Sequence, residues 1–247
     1  MLHQTKLLCT ILCILLFTAC HRPLHVSKTT GQVLLVDSTY KAVQDTQHLQ
    51  SLAPIKEDLE KQLGAPIGYA PEALTVNRPE CTMLNWACDA LLAIAQQQYH
   101  SPVDMAVVNI GSMRCEWAEG EITFRNVFEL MPFDNELVVL TITGEEILRL
   151  CEIFATNNGE GVAGLRLKAR NGKVLQVEIN AKSLEKDKTY TVATSDYLSQ
   201  GNDGMLPLKN YIKYWNSEEK IRDLYIEYIK QVKVVQAKVD GRMDIQM

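Results

Sequence analysis

From residue 45 to residue 63, apolar side chains recur at Leu49, Leu52, Ile55, Leu59 and Leu63, three or four apart. That spacing puts them on one face of a helix, which Gly64 closes. A second helix is predicted over Met83–Ala95, where the run is Ala- and Leu-rich and apolar on most sides, as a buried helix requires. A third follows at Gly144–Phe154, with Ile147, Leu148, Leu150 and Cys151 on one side, and a fourth runs from Glu218 to about Lys230. A short helix is expected at Asn126–Glu129, after the segment Glu121–Phe124.

Short runs rich in β-branched and aliphatic residues alternate with these helices. Asp104–Ile110, Glu136–Ile142, Gly164–Lys168, Val174–Ile179 and Thr189–Thr194 are predicted strands, and Gln32–Asp37 is a short β-like run. Asn171-Gly172 between two of them is the pair that a tight two-residue hairpin demands. Ala65–Asn77, with Pro66, Gly68 and Pro71, is expected to be a loop, and Asp240–Met243 a final polar stretch. Interleaved helices and strands with one hairpin predict an α/β chain of the α+β type: a mixed β-sheet with flanking helices in a layered sandwich.

The first residues have a different character. Lys6 precedes an apolar run of 11 residues, Leu7–Phe17, broken only by Thr10. That is signal-peptide architecture, too short to span a bilayer as a stable helix. Phe17-Thr18-Ala19-Cys20 resembles a bacterial lipobox, so residues 1–19 are expected to be removed and Cys20 lipidated. Residues 20–30 then form a lipidated start and tether, and residues 31–247 the domain. The expected location is exported and lipid-anchored, on the periplasmic or cell-surface side.

Charge and composition narrow the function. A net charge of −5 without Lys/Arg runs excludes a basic face for nucleic acid. Past the leader the histidines are His21, His25, His48 and His100, in no metal-ligand spacing, so no metal site or cofactor is expected in this chain. No GxSxG nucleophile motif occurs. Cys81, Cys88, Cys115 and Cys151 lack CxxC spacing; Cys88 and Cys151 fall on apolar helix faces and are expected to be buried thiols.

What remains is a set of binding turns. Asn109-Ile-Gly-Ser-Met-Arg114 follows a strand; Gly111 lets the backbone turn closely, and Arg114 offers a planar fork for phosphate or carboxylate. Pro132-Phe-Asp-Asn135 places an aromatic beside hydrogen-bonding side chains. Tyr197 stands six residues before Asp203 in the Gly-rich turn Gly201-Asn-Asp-Gly204. Two rings can sandwich a base, and an aspartate can accept from ribose hydroxyls.

In order, Arg78–Ala90, Asn109–Arg114, Gly120–Thr123, Met131–Asn135, Thr143-Gly144 and Tyr197–Gly204 resemble the C-terminal domain of the 5'-nucleotidase family, a likeness covering about Gly31 to the C-terminus. The resemblance implies that Phe133 and Tyr197 stack on a base and Asp203 binds ribose. It implies that Asn109, Arg114 and Gly111 contact base and phosphate-side groups, Asn135 the base edge, and Arg78 a second phosphate-side position. The chain departs from the family where Ile110-Gly111-Ser112 replaces three glycines and Gly201-Asn202 replaces a glycine pair, which implies a tighter pocket backbone. It is also expected to lack the family's metallophosphatase domain.

The expected function is therefore nucleotide or nucleoside binding in nucleotide catabolism. This chain would be the binding half of a split phosphoric monoester hydrolase whose divalent metals sit in a separately encoded metallophosphatase. A non-catalytic nucleoside-capturing lipoprotein and a degenerate interaction scaffold are the alternatives.

Overall fold

The computed structural model describes residues 26–33 and 46–247. The leader 1–19, Cys20, most of the tether and the core of the Gln32–Asp37 run lie outside these residues. Residues 26–33 are exposed and carry no regular secondary structure.

Gln50–Met247 form one compact unit. Its centre is a five-stranded sheet in the order β10-β4-β9-β2-β5. These strands are β2 (Met105–Val108), β4 (Glu136–Thr143), β5 (Gly161–Ala163), β9 (Thr189–Ser195) and β10 (Lys213–Lys220). β4 and β9 pair antiparallel from Leu137–Ser195 to Thr143–Thr189, while β2 runs parallel to β9. The sheet is mixed, as the interleaved pattern predicts.

Both faces of this sheet are covered, which is why β2 and β4 read as nearly continuous apolar runs rather than as alternations. Ala106, Val108, Leu137, Val139 and Ala193 join one core, with α2 (Thr82–Gln98) and α6 (Ile221–Val232). Met105, Val107, Val138, Leu140, Ile142 and Val192 join a second, with α4 (Gly144–Thr156). The second core is closed by a four-stranded sheet, β11-β6-β7-β8, built from β6 (Leu165–Arg170), β7 (Lys173–Ile179), β8 (Lys182–Ser183) and β11 (Met243–Gln246). The period of two along each strand thus assigns successive side chains to two different cores.

Local chemistry fixes the ends. Thr143 caps α4 by accepting from Glu146 N–H, and Thr123 forms a reciprocal capping box with Asn126 at α3 (Phe124–Leu130). Asn171 and Gly172 both have positive φ, 49° and 71°, the conformation that lets the β6–β7 hairpin turn in two residues.

The structure corrects the sequence reading in several places. Pro66–Ala70, expected as loop, is β1 and pairs antiparallel with β3 (Gly120–Thr123). The last helix starts at Ile221, because Lys213–Lys220 is the edge strand β10. The polar terminus ends in β11, parallel to β6. β5 and β8 went unpredicted. The first helix, α1, spans Thr46–Leu63, and the short α5 spans Asp196–Ser199. No helix of the described residues is long and apolar enough to cross a membrane. Cys81, Cys88 and Cys151 are buried free thiols, and Cys115 is half-buried and free. Burial pushes the Cys88 and Cys151 thiols far above the ordinary range, so both stay protonated.

Candidate functional site

Three inner strands of the central sheet meet at one end of it. β2 and β9 are parallel, so the turn after each lies on the same side, and antiparallel β4 begins where β9 ends. The segments 109–114, 133–135 and 197–203, dispersed in sequence, are thereby brought around one cavity of about 340 Å³. Its lining is Asn109, Gly111, Ser112, Arg114, Phe133, Asn135, Tyr197 and Asp203. Seven of these are sequence-predicted site residues. A larger, apolar groove of about 990 Å³ lies between α1, α3 and α6. We place the candidate site in the smaller cavity, because there apolar rings and several polar groups converge, the composition of a ligand site.

The polar groups form one connected network. Asn109, 6% exposed, donates through Nδ2 to Asp203 Oδ2, and Ser112 Oγ donates to Asn109 Oδ1. Tyr197 Oη donates to Asp203 Oδ1 at 2.9 Å, and this bond holds the phenol's pKa above its usual value. Asp203 has a left-handed backbone (φ 53°), which aspartate tolerates better than most residues, and Gly201 (φ 81°) leads into it. A methyl on Gly111 would stand 3.3 Å from Asn109 Nδ2 and 3.6 Å from Asp203 Oδ2, so the glycine leaves room at that bond. The Arg114 guanidinium lies over the Phe133 ring, 5.1 Å from its centroid.

Two braces hold the turns from behind. Arg222 bonds Asp134 Oδ1 at 2.9 Å and Phe133 O at 3.3 Å, and Lys220 bonds Asp134 Oδ2 at 3.0 Å. The two cations hold the Asp134 carboxyl below the usual carboxylate range. The folded pKa is thus depressed: the clamp's contribution is complete above about pH 4, the unfolded value, and is lost as pH falls through the folded one. Ligand affinity should accordingly show no Asp134-linked step between about pH 5 and 8. A titration series over that range checks this against Asp134→Asn, whose affinity should be lower throughout.

The second brace contains Arg78, which does not line the cavity. Its Nη1 bonds Asn157 O and Gly159 O, and its Nη2 bonds Glu160 Oε1 at 2.7 Å. The other oxygen of Glu160, Oε2, accepts from Ile110 N–H at 2.7 Å. Arg78 therefore reaches the 109–112 turn through Glu160, which is 6% exposed. Sequence reasoning missed Glu160 and Ser112 as site residues; Ser112 sat inside the quoted motif, whereas nothing local marks Glu160. Glu160→Ala takes the carboxylate away from the half-buried Ile110 amide and from the Arg78 fork. It should cost about 1–2 kcal/mol in urea denaturation, the penalty of a half-buried donor left unpaired plus the loss of a partly solvated ion pair.

Among the described residues no three His, Cys, Asp or Glu side chains converge as metal ligands would.

The fold is that of a known domain. The family model of the 5'-nucleotidase C-terminal domain matches residues 66–210, and the chain belongs to that family. It is 29% identical over 192 residues to the 5'-nucleotidase of Vibrio vulnificus, covering 76% of this chain and 34% of that protein. It is 30% identical over 224 residues to the trifunctional nucleotide phosphoesterase protein YfkN of Bacillus subtilis, covering 78% of this chain and 15% of that one. A solved 5'-nucleotidase precursor from Thermus thermophilus superposes with a TM-score of 0.71 at 26% identity, over 83% of this chain and 44% of that one. The chain thus spans about a third of the Vibrio relative's length.

Proposed function

We propose that this chain binds a nucleotide or nucleoside and is the substrate-binding half of a 5'-nucleotidase-type hydrolase whose catalytic half is a separately encoded metallophosphatase. The observation that carries the reading is the cavity itself. Two aromatic rings, a fixed aspartate, two asparagines and an arginine stand around about 340 Å³. Phe133 and Tyr197 stack on the base, Asp203 accepts from the ribose hydroxyls, and Asn109 and Asn135 meet the base edge. Arg114 leaves the Phe133 ring for the phosphate side, where its planar fork pairs with an anion. Arg78, committed to Glu160 and two carbonyls, acts as a brace for the 109–112 turn rather than as a ligand.

Hydrolysis of a phosphoric monoester by this family draws on divalent metals that polarise the phosphoryl group and activate water. The described residues of this chain do not fit such a centre, and the metals belong to the partner. This chain supplies orientation, presenting the ester at the rim of the cavity. Lipidation at Cys20 would hold it on an exported membrane face, where two anchored halves meet at high effective concentration.

Calorimetric titration of the purified protein with adenosine and AMP tests the binding reading. Saturable binding of both, tighter for AMP through Arg114, is expected; no binding at millimolar ligand would overturn it. The split-enzyme reading is tested by co-purification with a metallophosphatase and by the gain in phosphatase activity on mixing the two. Binding without either result leaves the protein a nucleoside-capturing lipoprotein.

A further inference from the structure

Two side-chain hydrogen bonds of the cavity end on one carboxylate. Tyr197 Oη donates to Asp203 Oδ1 at 2.9 Å, and Asn109 Nδ2 donates to Asp203 Oδ2. Asn109 is itself fixed by Ser112, which donates to its Oδ1. With Asn109 Oδ1 accepting from Ser112 and Nδ2 donating to the carboxylate, the amide cannot flip without setting two acceptors against each other. The loop closes back on the tyrosine, since Asn202 Nδ2 donates to Tyr197 O at 2.8 Å.

Asp203 is exposed, and these two bonds fix the orientation of its carboxylate. Each carboxylate oxygen accepts more than one hydrogen bond, so each keeps capacity after taking its protein donor. What remains are two acceptor positions, side by side and held at both ends. That arrangement matches two adjacent hydroxyls better than one. The Tyr197 ring is 38% exposed and stacks without its hydroxyl; the hydroxyl's distinct contribution is to fix the carboxylate.

We infer that the Tyr197 hydroxyl is a specificity determinant: by locking Asp203 it makes the site prefer a vicinal diol, ribose, over 2'-deoxyribose. This rests on the nucleoside-binding reading above. A preorganised acceptor pair repays its ordering only when both hydroxyls are present. A carboxylate free to rotate serves a single hydroxyl nearly as well.

The test is titration of the full protein and of Tyr197→Phe with adenosine and 2'-deoxyadenosine. The parent should favour adenosine by about tenfold or more, as expected for a hydrogen bond to a charged group. Tyr197→Phe should weaken adenosine about five- to tenfold and 2'-deoxyadenosine less than about twofold, bringing the ratio towards one. Asp203→Asn, which keeps the ring and the side-chain shape, should lower the same ratio, and melting temperatures confirm that both variants fold. Equal losses for the two ligands, no loss for either, or a parent without preference would overturn the inference and leave the binding reading standing. A parent that binds neither nucleoside removes both.

Discussion

Replacing Phe133 and Tyr197 together by alanine is expected to abolish measurable nucleoside binding while leaving a folded protein. A base stacked on one aromatic ring gains about 1–3 kcal/mol. Losing both walls of the sandwich should therefore cost about 2–6 kcal/mol, roughly 30-fold to 10⁴-fold in affinity. That range is the simple sum of the two stacks, and coupling through the shared ligand appears as the departure of the double variant from the sum of the single ones. The cost to stability is smaller, because neither ring is fully buried: Tyr197 is exposed and Phe133 only partly packed against the core. The Phe133→Ala change also frees Arg114 from its ring, so a site that binds through phosphate contacts alone would keep AMP and lose adenosine. Calorimetry on the parent, both single variants and the double variant separates these cases. A double variant that binds adenosine within threefold of the parent would show that the base lies elsewhere.

How the site could be read before the fold was known has a physical explanation. Asn109–Arg114, Phe133–Asn135 and Tyr197–Asp203 are short local segments in which turn geometry and chemistry coincide, so each is legible by itself. Their convergence follows from parallel β2 and β9 with antiparallel β4 beside them, and those strands were visible as short runs rich in β-branched and aliphatic residues. Arg78 was harder. Its partner Glu160 lies 82 residues away, and choosing between a ligand and a buried carboxylate is a tertiary decision that no local pattern records. The missed strands share a cause as well. β10 is a largely polar edge strand, KYWNSEEK, in which only one face of one side meets the core. β1 carries Pro66 and Gly68, which weaken strand propensity, but it lies in a two-stranded pair where an irregular register is tolerated. At Gly68 an added Cβ would stand 2.5 Å from Ile229 Cγ2, so the residue that argues against a strand is the one that lets β1 approach α6.

The same logic, a glycine placed by close approach, yields the largest expected effect on stability. Gly159 ends the turn after α4, with φ +97°, and Gly159 N–H donates to Phe154 O at 2.8 Å. A Cβ there would stand 2.1 Å from Pro79 O and 2.8 Å from Pro79 C, overlap with backbone that no rotamer change relieves. Gly159→Ala must therefore move the 78–80 segment or the turn itself. Either movement breaks the bonds from Arg78 to Gly159 O and Glu160. Backbone strain at such a φ costs about 1–3 kcal/mol, and overpacking about as much again, so a total of roughly 3–5 kcal/mol is expected. For a domain of this size that is a fall of about 6–20 °C in melting temperature. Gly172→Ala is the matched control. Its φ is also positive, +71°, but the nearest atom to an added Cβ is Thr156 Cγ2 at 3.7 Å, so only the conformational part remains, about 1 kcal/mol. The difference between the two variants isolates the cost of the Pro79 overlap. Because Glu160 also holds Ile110 N–H beneath the cavity, Gly159→Ala should weaken nucleoside binding, whereas Gly172→Ala, in the β6–β7 hairpin, should not. Equal melting temperatures for the two variants would mean that the 78–80 segment yields freely, and that the brace beneath the 109–112 turn carries no tension from the α4 end.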